Sequence, residues 1–159
     1  MKIAHVSDIH IRNLKFHEDY RKVFKHFYEK LDENQVDLVV NTGDLAHTKT
    51  VISPEFVEMA TQFMVNISHQ APLINILGNH DLNLMNEDRQ DAITPIVEAL
   101  NRKNVLLLKK SGILPFGDFN FVNFGISDVE NWPRGPYDKD AINVGLFHGS
   151  IRNCVTDSL

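Results

Sequence analysis

Four short apolar runs limit what this chain can fold into. They are Lys2-Ile3-Ala4-His5-Val6, Val36-Asp37-Leu38-Val39-Val40, Leu73-Ile74-Asn75-Ile76-Leu77 and Val105-Leu106-Leu107-Leu108. Mostly apolar, with little alternation, they read as strands covered on both faces. Helical stripes separate them. From about 17 to 34, Tyr20, Val23, Phe24, Phe27 and Leu31 recur at spacings of three and four. Ser53-Pro54-Glu55 then offers an N-cap, a first-position proline and a first-turn acid, followed by a stripe of Phe56, Ala60, Phe63, Met64 and Ile67. Thr94-Pro95 repeats the cap-then-proline signal for a third helix to about 101, with Ile96, Val97 and Leu100 inward. This β-α-β-α-β-α-β order predicts an α/β fold with a parallel sheet and right-handed crossovers.

The pattern changes after Lys109 and Lys110, which read as solvated. Gly112 to Phe116, a Gly117-Asp118 turn and Phe119 to Phe124 predict a hairpin with bulk on both faces. A Pro- and Gly-rich loop, residues 131–137, precedes a last strand, 142–147. A second sheet packed on the first accommodates these elements.

Each of four apolar runs ends in a polar cluster. These are Ser7-Asp8-Ile9-His10, Thr42-Gly43-Asp44-Leu45-Ala46-His47, Gly78-Asn79-His80-Asp81 and His148-Gly149. The ends of strands in open α/β sheets are where ligands bind. Asp8 and His10 alternate, so both can point to one side of an extended segment. Asp8, His10, Asp44, Asn79 and His148 are therefore candidate metal ligands. Carboxylate, imidazole and amide together suit Mn, Fe or Zn better than Ca. Two ions about 3.5–4 Å apart recur in phosphodiester hydrolysis. Asp44 is the natural shared ligand, since it ends the middle strand of three. His80, directly after a ligand, is placed to stabilise charge on a phosphate or to protonate a leaving oxygen. Asp81 is placed to hold the His80 ring as an acceptor. His5, in mid-strand, reads as a core histidine.

Composition narrows the class further. The net charge of −5 argues against simple electrostatic adhesion to nucleic acid, but two divalent cations would bring it to −5 + 4 = −1. A single cysteine, Cys154, forms no internal disulfide, which fits a reducing cytosol or nucleoid, or a nucleus in a eukaryote. The start of the chain shows no signal peptide, and no run is long enough for a membrane span.

The motifs Asp8-x-His10, Gly43-Asp44, Gly78-Asn79-His80-Asp81 and His148-Gly149 resemble the first four signatures of the calcineurin-like metallophosphoesterases. Within them, Gly43-Asp44-Leu45-Ala46-His47 and the Gly-Asn-His-Asp ending resemble the SbcD-type nuclease subunit of the double-strand-break repair complex. The absence of Asp-Arg after Asp44, and Asp81 where a glutamate would stand, separate the chain from protein serine/threonine phosphatases. The resemblance implies a two-sheet sandwich flanked by helices and a dinuclear, manganese-preferring site. It implies exonuclease and endonuclease action on DNA, an SbcC-type ATPase partner and a homodimer in the complete protein. By motif, Asp8 and His10 would hold one ion, Asn79 and His148 the other, with Asp44 between. His80 would act at the scissile phosphate, and His47 matches a histidine near the substrate.

The family's fifth motif, Gly-His-x-His, does not occur before Leu159. Residues 1–159 are thus expected to be the N-terminal part of a nuclease domain, without a capping domain or partner-binding tail. Each ion would have about three protein ligands, with only Cys154 and Asp157 as substitutes, so weak metal binding and poor nuclease action are expected of this chain alone. Two other functions compete: a cyclic-nucleotide or other small-molecule phosphodiesterase, and a non-catalytic scaffold subunit.

Overall fold

The computed structural model describes residues 1–86 and 88–150. Cys154 and Asp157, the proposed substitute ligands, lie outside the described residues. Strands β1 (Ile3–Val6), β2 (Leu38–Asn41), β3 (Leu73–Ile76) and β4 (Val105–Leu108) form one parallel sheet in that order. Helices α1 (His17–Glu33), α2 (Pro54–Ser68) and α3 (Thr94–Leu100) are the crossovers. Strands β5 (Gly112–Phe116), β6 (Phe119–Phe124) and β7 (Ile142–Phe147) make a second sheet, with a β5–β6 hairpin and β7 parallel to β6.

Two apolar layers hold this arrangement. Phe56, Phe63, Met64 and Ile67 of α2 and Phe24 and Leu31 of α1 bury against Val39 and Leu73 on one face of the parallel sheet. Leu38, Val40, Ile74 and Ile76 project from the other face onto Phe121 and Leu146 of the second sheet. Strands β2 and β3 are buried at every position because they lie between both layers. The expected two-sheet sandwich with flanking helices is what forms.

Local signals worked unevenly. Ser53 caps α2, its hydroxyl accepting from the Phe56 amide at 3.2 Å. Thr94 does not cap α3; the carboxylate of Asp91 does, accepting from the amides of Ile93 at 3.0 Å and Thr94 at 2.7 Å. Lys109 is not simply solvated: its ammonium lies 2.8 Å from buried Asp91. Val23, assigned to the buried stripe of α1, is 62% exposed, whereas Phe24 and Leu31 are buried and Tyr20 and Phe27 pack half-buried on the same core. His5 is not a core histidine. It lies on edge strand β1, is exposed, and bonds the Thr42 hydroxyl at 2.7 Å. Strand β7 is the corresponding edge of the second sheet, and Ile3 and Ile142 are exposed on these two edges.

Candidate metal centre

The parallel sheet delivers three of the four polar clusters to the carboxyl ends of neighbouring strands. Beyond β1 and β2 the chain keeps a ladder-like pairing. Asp8 donates its amide to the Gly43 carbonyl at 3.0 Å, His10 to that of Asp44 at 2.9 Å, and Ile11 to that of Leu45 at 2.8 Å. Asp8, His10 and Asp44 all adopt the left-handed region, with φ of 57°, 51° and 56°. Each such non-glycine residue costs on the order of 1–3 kcal/mol, a strain that concentrates at functional sites. Asp and His are among the types that tolerate it best.

Two glycines let the next loop close in. A Cβ on Gly78 would stand 2.1 Å from Asp44 Oδ1 and 2.4 Å from Asp44 N. One on Gly43 would stand 2.6 Å from Gly78 N, and Gly43 has φ of 99°. Only bare backbone fits between the ends of β2 and β3.

Asp81 clamps the two loops. Its fully buried carboxylate accepts from the amides of Asp44 at 2.8 Å, Ala46 at 2.8 Å and Gly78 at 2.9 Å. Burial pushes its carboxyl up to about 6, against the pull of those three amides. This corrects the sequence expectation for Asp81, which is not the acceptor for the His80 ring. The His80 Nδ1 instead meets the carbonyl of His47 at 2.7 Å.

Asp44 is oriented from both ends. Its Oδ1 accepts from the His80 amide at 2.8 Å. Its Oδ2 is left facing two imidazoles, His10 Nε2 at 3.6 Å and His148 Nε2 at 3.3 Å. His10 Nε2 also lies 3.8 Å from Asp8 Oδ1. His148 Nε2 lies 3.1 Å from Asn79 Oδ1. The five side chains picked out by strand-end placement thus meet, with Asp44 between the pair Asp8–His10 and the pair Asn79–His148.

The protonation of His148 follows from its neighbours. A carbonyl only accepts, and the Thr42 carbonyl sits 2.8 Å from His148 Nδ1, so Nδ1 carries the proton. In the neutral ring Nε2 then bears a lone pair, aimed at a carboxylate oxygen and an amide oxygen. With no proton to give, Nε2 faces two oxygens at 3.3 and 3.1 Å, a contact that a cation among them would relieve. Donors about 2.0–2.2 Å from one ion stand about 3–3.5 Å from each other, and both of these separations fall in that range. The backbone carbonyl behind the ring is the usual outer partner of a ligating histidine. Asp8, His10 and Asp44 likewise place one donor atom each within 4.8 Å of one another. The residues present fit divalent ions.

His47 and His80 line the same region. Their rings lie 6.0 Å apart, and His10 lies 4.7 Å from His80 and 5.6 Å from His47. Burial, then the charges of Arg12, His10 and His80, hold His47 below the ordinary imidazole range. Two contributors escaped the sequence reading. Thr42 acts through its carbonyl, which no side-chain pattern reveals. Tyr20 donates its hydroxyl to the His10 carbonyl at 2.6 Å; a lone hydroxyl in the stripe of α1 was the available signal.

A phosphoester-hydrolase type of centre on a two-sheet α/β sandwich is the class these features define. Residues 1–155 match the calcineurin-like phosphoesterase family, and the chain belongs to it. It is 36% identical over 172 residues to the uncharacterized protein R555 of Acanthamoeba polyphaga mimivirus, covering 98% of this chain and 12% of that protein. It is 30% identical over 119 residues to the DNA double-strand break repair protein Mre11 of Archaeoglobus fulgidus, covering 71% of this chain and 26% of that protein. The chain therefore spans about a quarter or less of the length of these curated relatives. Among solved structures, the nuclease MPE of Pseudomonas putida shares the fold, with a TM-score of 0.51 and 16% identity over 76% of this chain and 53% of that one. Among the described residues no helix is long and apolar enough to cross a membrane.

Proposed function

We propose that this chain carries the catalytic centre of a metal-dependent DNA nuclease that hydrolyses phosphodiester bonds with two divalent ions, manganese being the preferred metal. The observation that carries the reading is the convergence of His148 Nε2, Asp44 Oδ2 and Asn79 Oδ1, with the His148 proton held by Thr42 on the opposite side of the ring. Asp8 and His10 would hold one ion, Asn79 and His148 the other, and Asp44 would serve both. Such ions supply an activated water at neutral pH and neutralise charge on the phosphate. His80 keeps its Nδ1 proton on the His47 carbonyl, which leaves Nε2 to carry a second proton to the leaving oxygen. His47 lines the substrate side. Asp81 acts through the Asp44 and Gly78 backbone, as a positioning residue.

DNA as substrate is supported by the 30% identity to the archaeal repair protein. In this reading an SbcC-type ATPase and a second copy of the nuclease subunit are the partners of the whole protein. The test is incubation of the chain in excess manganese with circular single-stranded DNA and, separately, with cyclic nucleotides. Nicking of the circle that His148→Ala abolishes supports the nuclease reading. Turnover of cyclic nucleotide without nicking replaces it with the small-molecule phosphodiesterase. Neither activity, in the whole protein loaded with manganese, leaves a non-catalytic subunit.

A further inference from the structure

We propose that His10, His47 and His80 form an additional, imidazole-only site for a zinc-class ion, beside the carboxylate-containing centre and sharing His10 with it. Each of the three offers one ring nitrogen within 4.8 Å of the other two. The ring positions fit a common ion. A nitrogen about 2.0–2.1 Å from zinc puts its ring centroid about 3.2 Å away, so three rings on one ion stand about 5.2–5.5 Å apart. The measured separations of 4.7, 5.6 and 6.0 Å bracket that spacing.

Hydrogen bonding adds an independent reason. His80 gives its Nδ1 proton to the His47 carbonyl, which frees Nε2 as a donor and braces the ring in the manner of a ligating histidine. The Nδ1 atoms of His10 and His47 are buried and meet no hydrogen-bond partner among the described residues. Buried polar atoms without a partner are uncommon and call for an explanation. An ion held through those two Nδ1 atoms would supply one.

The donor chemistry sets the selectivity. Three neutral imidazoles and no carboxylate favour zinc, copper or nickel over manganese, magnesium or calcium, which take oxygen ligands. The two centres therefore differ in preference. Since His10 also faces Asp8 and Asp44, zinc held by the three imidazoles competes with the ion between those carboxylates, and zinc would inhibit the manganese-loaded protein. That competition rests on the metal reading of His10 above; the zinc site itself does not.

The test isolates the site. In the chain carrying Asp8→Asn and His148→Ala, each side of the carboxylate centre loses a ligand while the three imidazoles stay. Zinc chloride titrated against a chromophoric chelator should bind this variant at one equivalent, and adding His47→Ala should weaken binding by at least ~100-fold, the upper end of what loss of a mere outer-shell partner costs. Cobalt in place of zinc should give the strong visible absorption of a tetrahedral site, lost with His47→Ala. Unchanged zinc affinity with and without His47 would overturn the proposal, as would a folded double variant that takes up no zinc. If the double variant fails to fold, native mass spectrometry of zinc-loaded chain with and without His47→Ala decides: one equivalent fewer upholds the site, an equal count removes it.

Discussion

Gly78 is the point at which one methyl group should do most damage. In Gly78→Ala the new Cβ would stand 2.1 Å from Asp44 Oδ1, 2.4 Å from Asp44 N and 2.8 Å from Asp44 Cγ. Ordinary van der Waals contact begins about 1 Å farther out, so the carboxylate and its backbone must retreat by about that much. Neither is free to do so. Asp44 Oδ1 is held by the His80 amide, and Asp44 N by the Asp81 carboxylate, both at 2.8 Å. Each is a hydrogen bond to a charged group, of the kind that contributes about 1.5–3 kcal/mol. Overpacking by itself costs about 1–3 kcal/mol. With partial relaxation, a loss near 3 kcal/mol is expected, read as a lower urea midpoint at unchanged slope. Manganese affinity should fall with it, because the shared ligand has moved by about an ångström, and a misplacement of that size can cost ~100-fold in catalysis. Gly112→Ala is the control: none of the described residues lies within 4 Å of its added Cβ, so its urea midpoint and metal affinity should stay near those of the parent. If Gly78→Ala unfolds at the parent's midpoint and binds manganese within twofold of it, the close approach of the two loops is not what positions Asp44.

Three further outcomes are expected. In the complete protein, His80→Ala should keep its manganese by titration calorimetry while losing about 100- to 10,000-fold of phosphodiester cleavage, the usual range for a general acid; lost metal or normal cleavage would contradict its place at the leaving group. Asp91 is opposed by its own burial, but the Lys109 ammonium, the Thr94 hydroxyl and the amides of Thr94 and Ile93 prevail and hold its carboxyl below the usual 3.8. A carboxyl with a lowered folded value stabilises the fold above its unfolded value, and that contribution disappears as pH falls through the folded value. Asp91→Asn should therefore destabilise by about 1–3 kcal/mol at neutral pH, with the gap to wild type closing under strong acid in urea melts across pH. Ser53→Ala removes the cap of α2 and should cost about 1 kcal/mol by the same melts, with metal affinity unchanged.

Much of this molecule was legible in its residues. Apolar runs of four or five and stripes at spacings of three and four give the β-α order, because period and length are local properties of a chain. Strand-end placement selected Asp8, His10, Asp44 and Asn79, because a parallel sheet must bring the carboxyl ends of its strands to one edge; it selected His148 too, but that residue follows β7 of the second sheet and reaches the others through the packing of the two sheets. Where the readings differed from the structure, the deciding interaction was distant in sequence. Asp81 sits beside His80 in the chain, yet its carboxylate turns to the amides of Asp44 and Ala46, 37 and 35 positions away. Asp91 caps α3 in place of Thr94, and its partner Lys109 arrives only after a further helix and strand. His5 looks internal from its apolar neighbours, but β1 is a sheet edge, and edge position is a property of strand order. The tautomer of His148 depends on the carbonyl of Thr42, 106 residues earlier, and a backbone carbonyl is the same in every residue. Sequence determined which elements form and which side chains stand at their ends. The tertiary structure alone decided which atoms face each other there, because hydrogen-bond partners and close approaches are set by register and packing between strands, and no residue carries those by itself.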